Sequence, residues 1–193
     1  MFKFVVKAGL VAGNFALLAG FAVTAHAAPA IMSSEWGSAV CDTWDQDPVL
    51  TDELASSDWV DNNAGRPSRV MHVYRSDCGD EPTAEFRIAP FDGKAQCVYG
   101  GAVETTTGNK KVDYRMHAKT ARWIEMGAGK YGPMKTMSFM RLKFSGPKWE
   151  TMKNMGPFSS LPVGASVGCL PDPLLIMASK CVNLCPEVIK LTY

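Results

Sequence analysis

The chain has 193 residues, 47% of them hydrophobic and 20% charged, with a formal net charge of +1. That length predicts one domain, and the composition is that of a packed globular protein, which excludes disorder as the main state. Near neutrality also excludes a broad electrostatic nucleic-acid interface, which needs a clear Lys/Arg excess.

Residues 1–27 read as a cleavable export signal. Lys3 and Lys7 give a positive start, Ala8 to Val23 an apolar run, and Ala25-His26-Ala27 the small-x-small pattern of a cleavage site. The run contains Asn14 and several glycines and is short for a bilayer span of about 20 apolar residues. No Cys stands directly after the cleavage site, which disfavours a lipoprotein. Removing the leader takes away two positive charges and leaves a balance of −1. The expected product begins near Ala28 and is exported, either periplasmic or secreted.

In the remaining chain, Ser33 and Ser34 precede Glu35 and predict a helix start. Trp36, Val40, Thr43 and Trp44 continue at helical spacing. Asp47-Pro48 opens a second short helix with Val49, Leu50 and Leu54, and 61–67 is dense in turn formers. Strands follow. Val70 to Arg75 is β-branched and aromatic, and Ala84, Phe86 and Ile88 alternate with Glu85 and Arg87. Asp92-Gly93 signals a hairpin into Ala95, Cys97 and Tyr99. Gly100-Gly101 can bend that strand before Val103 to Thr107 leads to a turn at Gly108-Asn109. Val112, Tyr114 and Met116 alternate with Asp113, Arg115 and His117, and a last strand reads Met140, Leu142 and Phe144.

Three helical pieces are interleaved. Thr120 caps one carrying Trp123, Ile124 and Met126, stopped by Gly127 and Gly129. Pro133 starts the second, with Met134 and Met137. Gly146-Pro147 starts the third, where Trp149, Met152 and Met155 form one stripe ended by Gly156-Pro157. About five strands, mostly hairpin-linked, with short helices predict an α+β domain whose sheet is largely antiparallel with one solvated face. It spans 28–158. Residues 159–193 form a tail with four prolines, three cysteines and only Asp172 and Glu187 as acids, in which Leu174 to Met177 suggests a buried turn or strand.

All six cysteines, Cys41, Cys78, Cys97, Cys169, Cys181 and Cys185, follow the leader, where an oxidising compartment permits disulfides. No C-x-x-C exists, so a thioredoxin-type site is not expected. Cys181 and Cys185 are helically spaced, but His72 and His117 lie far upstream, so no metal site is expected. Cys78 with Cys97 is the expected pair, because their strands should be neighbours.

No nucleophile elbow, H-E-x-x-H, P-loop or dinucleotide fingerprint is present. Asp42, Asp45 and Asp47 lack the Gly and Glu of a calcium loop and read as a solvated helix end. His117 alternates onto the polar face of its strand. With Asp113, four residues earlier on the same strand face, it gives the strongest enzymatic alternative, a small exported enzyme acting on lipids, but without a nucleophile. The reading is therefore non-enzymatic, with no cofactor. Methionine is what stands out: Met126, Met134, Met137, Met140, Met152 and Met155 crowd into thirty residues among Trp123, Tyr131, Phe139, Phe144, Trp149 and Phe158. An ordinary core explains such a cluster. So does a deformable apolar cavity of the kind a lipid tail occupies.

Four pieces follow in order: Asp113-Tyr114-Arg115-Met116-His117-Ala118, Arg122 to Gly129, Tyr131-Gly132-Pro133-Met134 and Arg141 to Pro147. Together with Asp47 to Leu50, Phe91 to Lys94 and Tyr99 to Gly101, they make 33–158 resemble the SCP2-like sterol carrier domain in its exported bacterial form. The resemblance implies a five-stranded α+β domain around an apolar tunnel that binds or transfers sterols, fatty acyl chains or other lipids without chemistry. Carried onto this sequence, the tunnel residues would be Trp123, Met126, Met134, Met137, Phe139, Met152, Met155 and Phe158, with Tyr114 and Met116 from the sheet. The expected partner is a lipid or sterol-like molecule taken up by a monomer, with transient membrane contact and no nucleic acid. Beyond Phe158 the tail departs from the family pattern, which favours a second reading, an interaction or structural module with a closed cavity and no ligand.

Overall fold

The computed structural model describes residues 29–57 and 59–161. The expected leader, most of the tail and Cys169, Cys181 and Cys185 lie outside the described residues.

Helix α1, Ser34–Trp44, starts where Ser33 Oγ accepts the Trp36 N–H at 3.2 Å. It buries Trp36, Gly37, Val40, Cys41 and Trp44 on one face. A π-helical turn over Val49–Glu53 runs into the short helix α2, Leu54–Ser56, and drops Leu50 and Leu54 into the core. Strands β1 (Arg69–Arg75), β2 (Ala84–Phe91), β3 (Lys94–Gly101), β4 (Tyr114–Ala118) and β5 (Lys143–Ser145) form one sheet in the order β3-β2-β1-β4-β5. Three of the four pairings are antiparallel, as the alternation predicts. The exception is central: β1 and β4 run parallel, Met71 opposite Tyr114 and Val73 opposite Met116.

Helices α3 (Thr120–Gly127), α4 (Pro133–Ser138), α5 (Lys148–Lys153) and α6 (Met155–Ser159) complete the domain. Several expectations are corrected here. Val103 to Thr107 is irregular, because β3 ends at Gly101. Thr120 is the first helical residue rather than the cap; Asp77 caps instead, its carboxylate accepting both the N–H and the hydroxyl of Thr120. Met140 is not in a strand. It has φ 52° and sits in the turn that ends α4, where the N–H groups of Arg141 and Leu142 both return to Thr136 O. Gly156-Pro157 does not end a helix but lies inside α6, after a break at Asn154.

The expected Cys78–Cys97 disulfide is also incorrect. Cys97 is bonded to Cys41, and Cys78 is disulfide-bonded elsewhere. The reason is the packing of α1 on β3. Gly37 and Gly100 let helix and strand backbones touch: a Cβ on Gly100 would lie 2.4 Å from Gly37 O and 2.5 Å from Cys41 Cβ. Trp44 Nε1 donates to Ala95 O at 2.8 Å and Asp45 Oδ1 accepts the Cys97 N–H at 2.8 Å. Cys97 therefore faces the helix.

The opposite face of the sheet is less solvated than expected. Glu85 is fully buried. It accepts from Arg87 Nε at 2.7 Å, from the Thr105 N–H and hydroxyl, and from the Glu104 N–H, and it contacts His72 Nε2 at 3.0 Å.

Candidate ligand-binding cavity

Between α1, the inner face of the sheet and the C-terminal helices lies a cavity of about 210 Å³. Its floor is the sheet: Met71 and Val73 from β1, Phe86 from β2, Tyr114 and Met116 from β4, and Phe144 from β5. These project to one side because alternate residues of a strand share a face. One wall is α1, with Trp36, Val40 and Trp44, joined by Met32. The other is Trp123 and Met126 of α3, Thr136 and Met137 of α4, Thr151 of α5 and Met155 and Phe158 of α6. Gly129, Gly132 and Ser159 also line the cavity and are solvent-exposed, so the hollow reaches the surface at the α3–α4 loop and α6.

Of the ten residues implied to line a tunnel, Trp123, Met126, Met137, Met155, Phe158, Tyr114 and Met116 stand on this wall. Met134, Phe139 and Met152 do not. They point to solvent, 49%, 66% and 47% exposed, because Thr136 and Thr151 take the inward positions of their helices. Sequence reasoning did not assign Met32, Trp36, Val40, Trp44, Met71, Val73 or Phe86 to the cavity. Their alternation and helical spacing were legible, but those patterns mark a buried face without separating solid core from void.

The polar groups near the cavity are nearly all satisfied. Tyr114 Oη accepts from Trp59 Nε1 at 2.7 Å and from Arg69 Nη1 at 2.9 Å, and donates to Glu150 Oε2 at 3.1 Å. Burial pushes its hydroxyl up to about 12, so it stays neutral. Arg69, fully buried, forms a two-pronged pair with Glu150 and lies 4.4 Å over the Trp59 ring. One donor on the wall is unpaired: the buried Trp36 Nε1 has no hydrogen-bond partner.

The chemistry expected of an enzyme is not assembled around His117 and Asp113. Both Asp113 oxygens are taken by the Arg66 guanidinium, and they also accept the Val70 and Asn109 N–H groups at 3.0 and 2.6 Å. His117 instead stacks on Tyr74, ring centroids 4.5 Å apart. Burial, reinforced by Lys143 and Arg115, pulls the imidazole below its ordinary value. The carboxylates of Asp45 and Asp47 accept backbone N–H groups of Cys97 and Val49, and among the described residues no group of three or more His, Cys, Asp or Glu is placed to hold a metal. No described helix is long and apolar enough to cross a membrane.

No protein-family model and no curated protein matches the chain. Among solved structures, a sterol carrier protein 2 matches with a TM-score of 0.45 at 15% identity, covering 72% of this chain and 98% of its own. The sterol carrier protein 2 of Yarrowia lipolytica, in its apo form, matches with a TM-score of 0.38 at 13% identity, covering 70% and 94%.

Proposed function

We propose that the chain binds a hydrophobic small molecule non-covalently, a sterol, a fatty acyl chain or another lipid, and that it works as a carrier outside the cytoplasm. The observation that carries this reading is the surface-reaching apolar hollow of about 210 Å³. It exceeds the roughly 150 Å³ engineered apolar cavity that stays dry and takes up benzene. Each methylene moved from water into it contributes about 0.8 kcal/mol, so affinity needs few polar anchors. The mobile side chains of Met126, Met137 and Met155 adapt the wall to different shapes. A ligand acceptor placed at the Trp36 indole would satisfy its unpaired N–H.

Among the described residues the side chains lining the hollow include hydroxyls but no His, Cys, Asp, Glu or Lys, and the proposed activity includes no chemical step. Native mass spectrometry of the gently purified protein tests the reading. A single lipid-sized adduct, identified by extraction, is expected. Protein recovered from its own cells should begin near Ala28 if the leader is cleaved. A protein that carries no adduct and takes up no fluorescent fatty acid would favour the closed interaction module instead.

A further inference from the structure

Helices α4 and α5 are built inside out. On α4 the fully buried side chain is Thr136, with Met137 half-buried on the cavity wall, while Met134 is exposed; on α5 Thr151, and just after it Asn154, are buried while Trp149 is 71% exposed and Met152 nearly half. The inward polar groups are satisfied locally. Thr136 Oγ1 donates to Gly132 O at 2.8 Å, Thr151 Oγ1 to Pro147 O at 3.0 Å and Asn154 Nδ2 to Glu150 O at 2.9 Å. The turn after α4 adds Phe139 and Met140, both well exposed. Both helices contact α6 and each supplies a residue to the cavity wall, so the five exposed apolar side chains sit on elements that border the cavity.

The charge along the segment that carries them is mainly positive, although Glu125 of α3 reaches Tyr131, whose ring lies under Arg141. Residues 127–161 contain Lys130, Lys135, Arg141, Lys143, Lys148 and Lys153, against the single acid Glu150. Glu150 is already engaged by the buried Arg69. Among the described residues none of the six cations pairs with a carboxylate. Lys153 instead lies 5.7 Å from the Trp149 ring. Protein-docking faces are depleted in lysine at their centre, whereas interfacial membrane-binding faces combine a large aromatic with lysines that reach outward.

We propose that these helices dock on a bilayer carrying anionic headgroups, with Trp149, Met152, Met134, Phe139 and Met140 at the acyl boundary and Lys135, Lys148 and Lys153 on the phosphates. The docking goes beyond the carrier reading and requires no ligand in the hollow.

Trp149 supplies its own probe. The chain has five tryptophans, and the other four are each at most 3% exposed. The full chain is mixed with vesicles of phosphatidylcholine alone or with added phosphatidylglycerol. With the anionic vesicles, tryptophan emission should shift to the blue and be quenched by lipids brominated near the headgroup. The Trp149→Phe variant should lose that signal while still floating with the vesicles. Lys148→Gln with Lys153→Gln should weaken partitioning by about thirtyfold, at about 1 kcal/mol per basic residue. Every variant carries the same remaining chain, so contributions from elsewhere cancel. Equal partitioning of the lysine variant, an unchanged Trp149 signal on anionic vesicles, or a concentration-dependent dimer that shields Trp149 from them would each overturn the proposal. These readouts do not depend on lipid uptake, so the two proposals can fail separately.

Discussion

Cys41 of α1 and Cys97 of β3 are joined covalently, their Cα atoms 5.3 Å apart across 56 residues of sequence. The bond fixes the helix that supplies Trp36, Val40 and Trp44 to the cavity wall. Closing a loop of that length restricts the unfolded chain by about 4 kcal/mol in the chain-entropy treatment. Replacing both residues, Cys41→Ala with Cys97→Ala, should lower unfolding free energy by up to that amount. It should also weaken uptake of a fluorescent fatty acid, since α1 loses its covalent tie to the sheet. Denaturant titration and a binding isotherm on the same preparation check both effects. A double variant as stable as the parent would remove the disulfide from the cavity's support.

The glycine contact beside that bond makes a sharper steric prediction. A methyl group on Gly100 would collide with Gly37 O at 2.4 Å, a backbone atom that cannot rotate away. Gly100→Ala should therefore cost about 1–3 kcal/mol, as overpacking does. Gly108→Ala is the control: its added carbon would meet only Asp113 Oδ2, at 3.7 Å, an ordinary contact. That substitution should be neutral or slightly stabilising. Comparable melting temperatures for the two variants would contradict the close approach of α1 and β3.

Glu85 links the fold to pH. Burial alone would raise its pKa, but the Thr105 N–H, His72, Arg87 and the Thr105 hydroxyl outweigh it and hold the carboxyl at about 2, below the ordinary 4.5. A depressed folded-state value means the stabilisation is complete above the unfolded value and is lost as pH falls from about 4.5 towards 2. The full contribution is on the order of 3 kcal/mol. Thermal unfolding followed from neutral pH downward should show this loss, and Glu85→Gln should flatten it while lowering stability at neutral pH. An acid limb unchanged in the Gln variant would assign the effect to other carboxylates.

Much of this architecture was legible locally. Ser33 as a cap, the Ala84-Phe86-Ile88 alternation and the Asp92-Gly93 hairpin each follow from short-range rules, and each stands where those rules put it. The parallel β1–β4 pairing was not legible, because it joins strands separated by β2 and β3. The disulfide was misread for a similar reason: Cys97 is chosen by a helix more than fifty residues earlier, through a glycine contact no spacing announces. On α5 the misreading was of another kind. An apolar stripe is normally taken to face inward, yet here Thr151 and Asn154 are buried and Trp149 and Met152 are outside. Periodicity finds the stripe but not its direction when the buried polar groups are satisfied by their own helix.

Met126 and Met137 line the cavity but are only partly buried, which makes them useful probes of the hollow. Either changed to Asp keeps access to water in the empty protein, so the fold should survive. A bound hydrocarbon would cover the carboxylate and strip its hydration, at a cost of several kcal/mol. Uptake of a fluorescent fatty acid should fall by at least tenfold in Met126→Asp and Met137→Asp, with little change in melting temperature. Retained uptake in both folded variants would move the ligand away from this wall.

Arg69 is the residue whose environment is least forgiving. It is fully buried between Trp59 and Tyr114, and among the described residues its ion pair is with Glu150 on α5. Glu150→Ala leaves a buried cation without a counter-charge and should cost about 3–5 kcal/mol. Tyr114→Phe removes one acceptor from Arg69 but leaves the ion pair, and should cost about 1–3 kcal/mol. Because Glu150 anchors α5 to the sheet, its loss should also free the Trp149 helix and change acrylamide quenching of that side chain. If Glu150→Ala proved no more destabilising than Tyr114→Phe, the charge pair would not be what holds α5 in place.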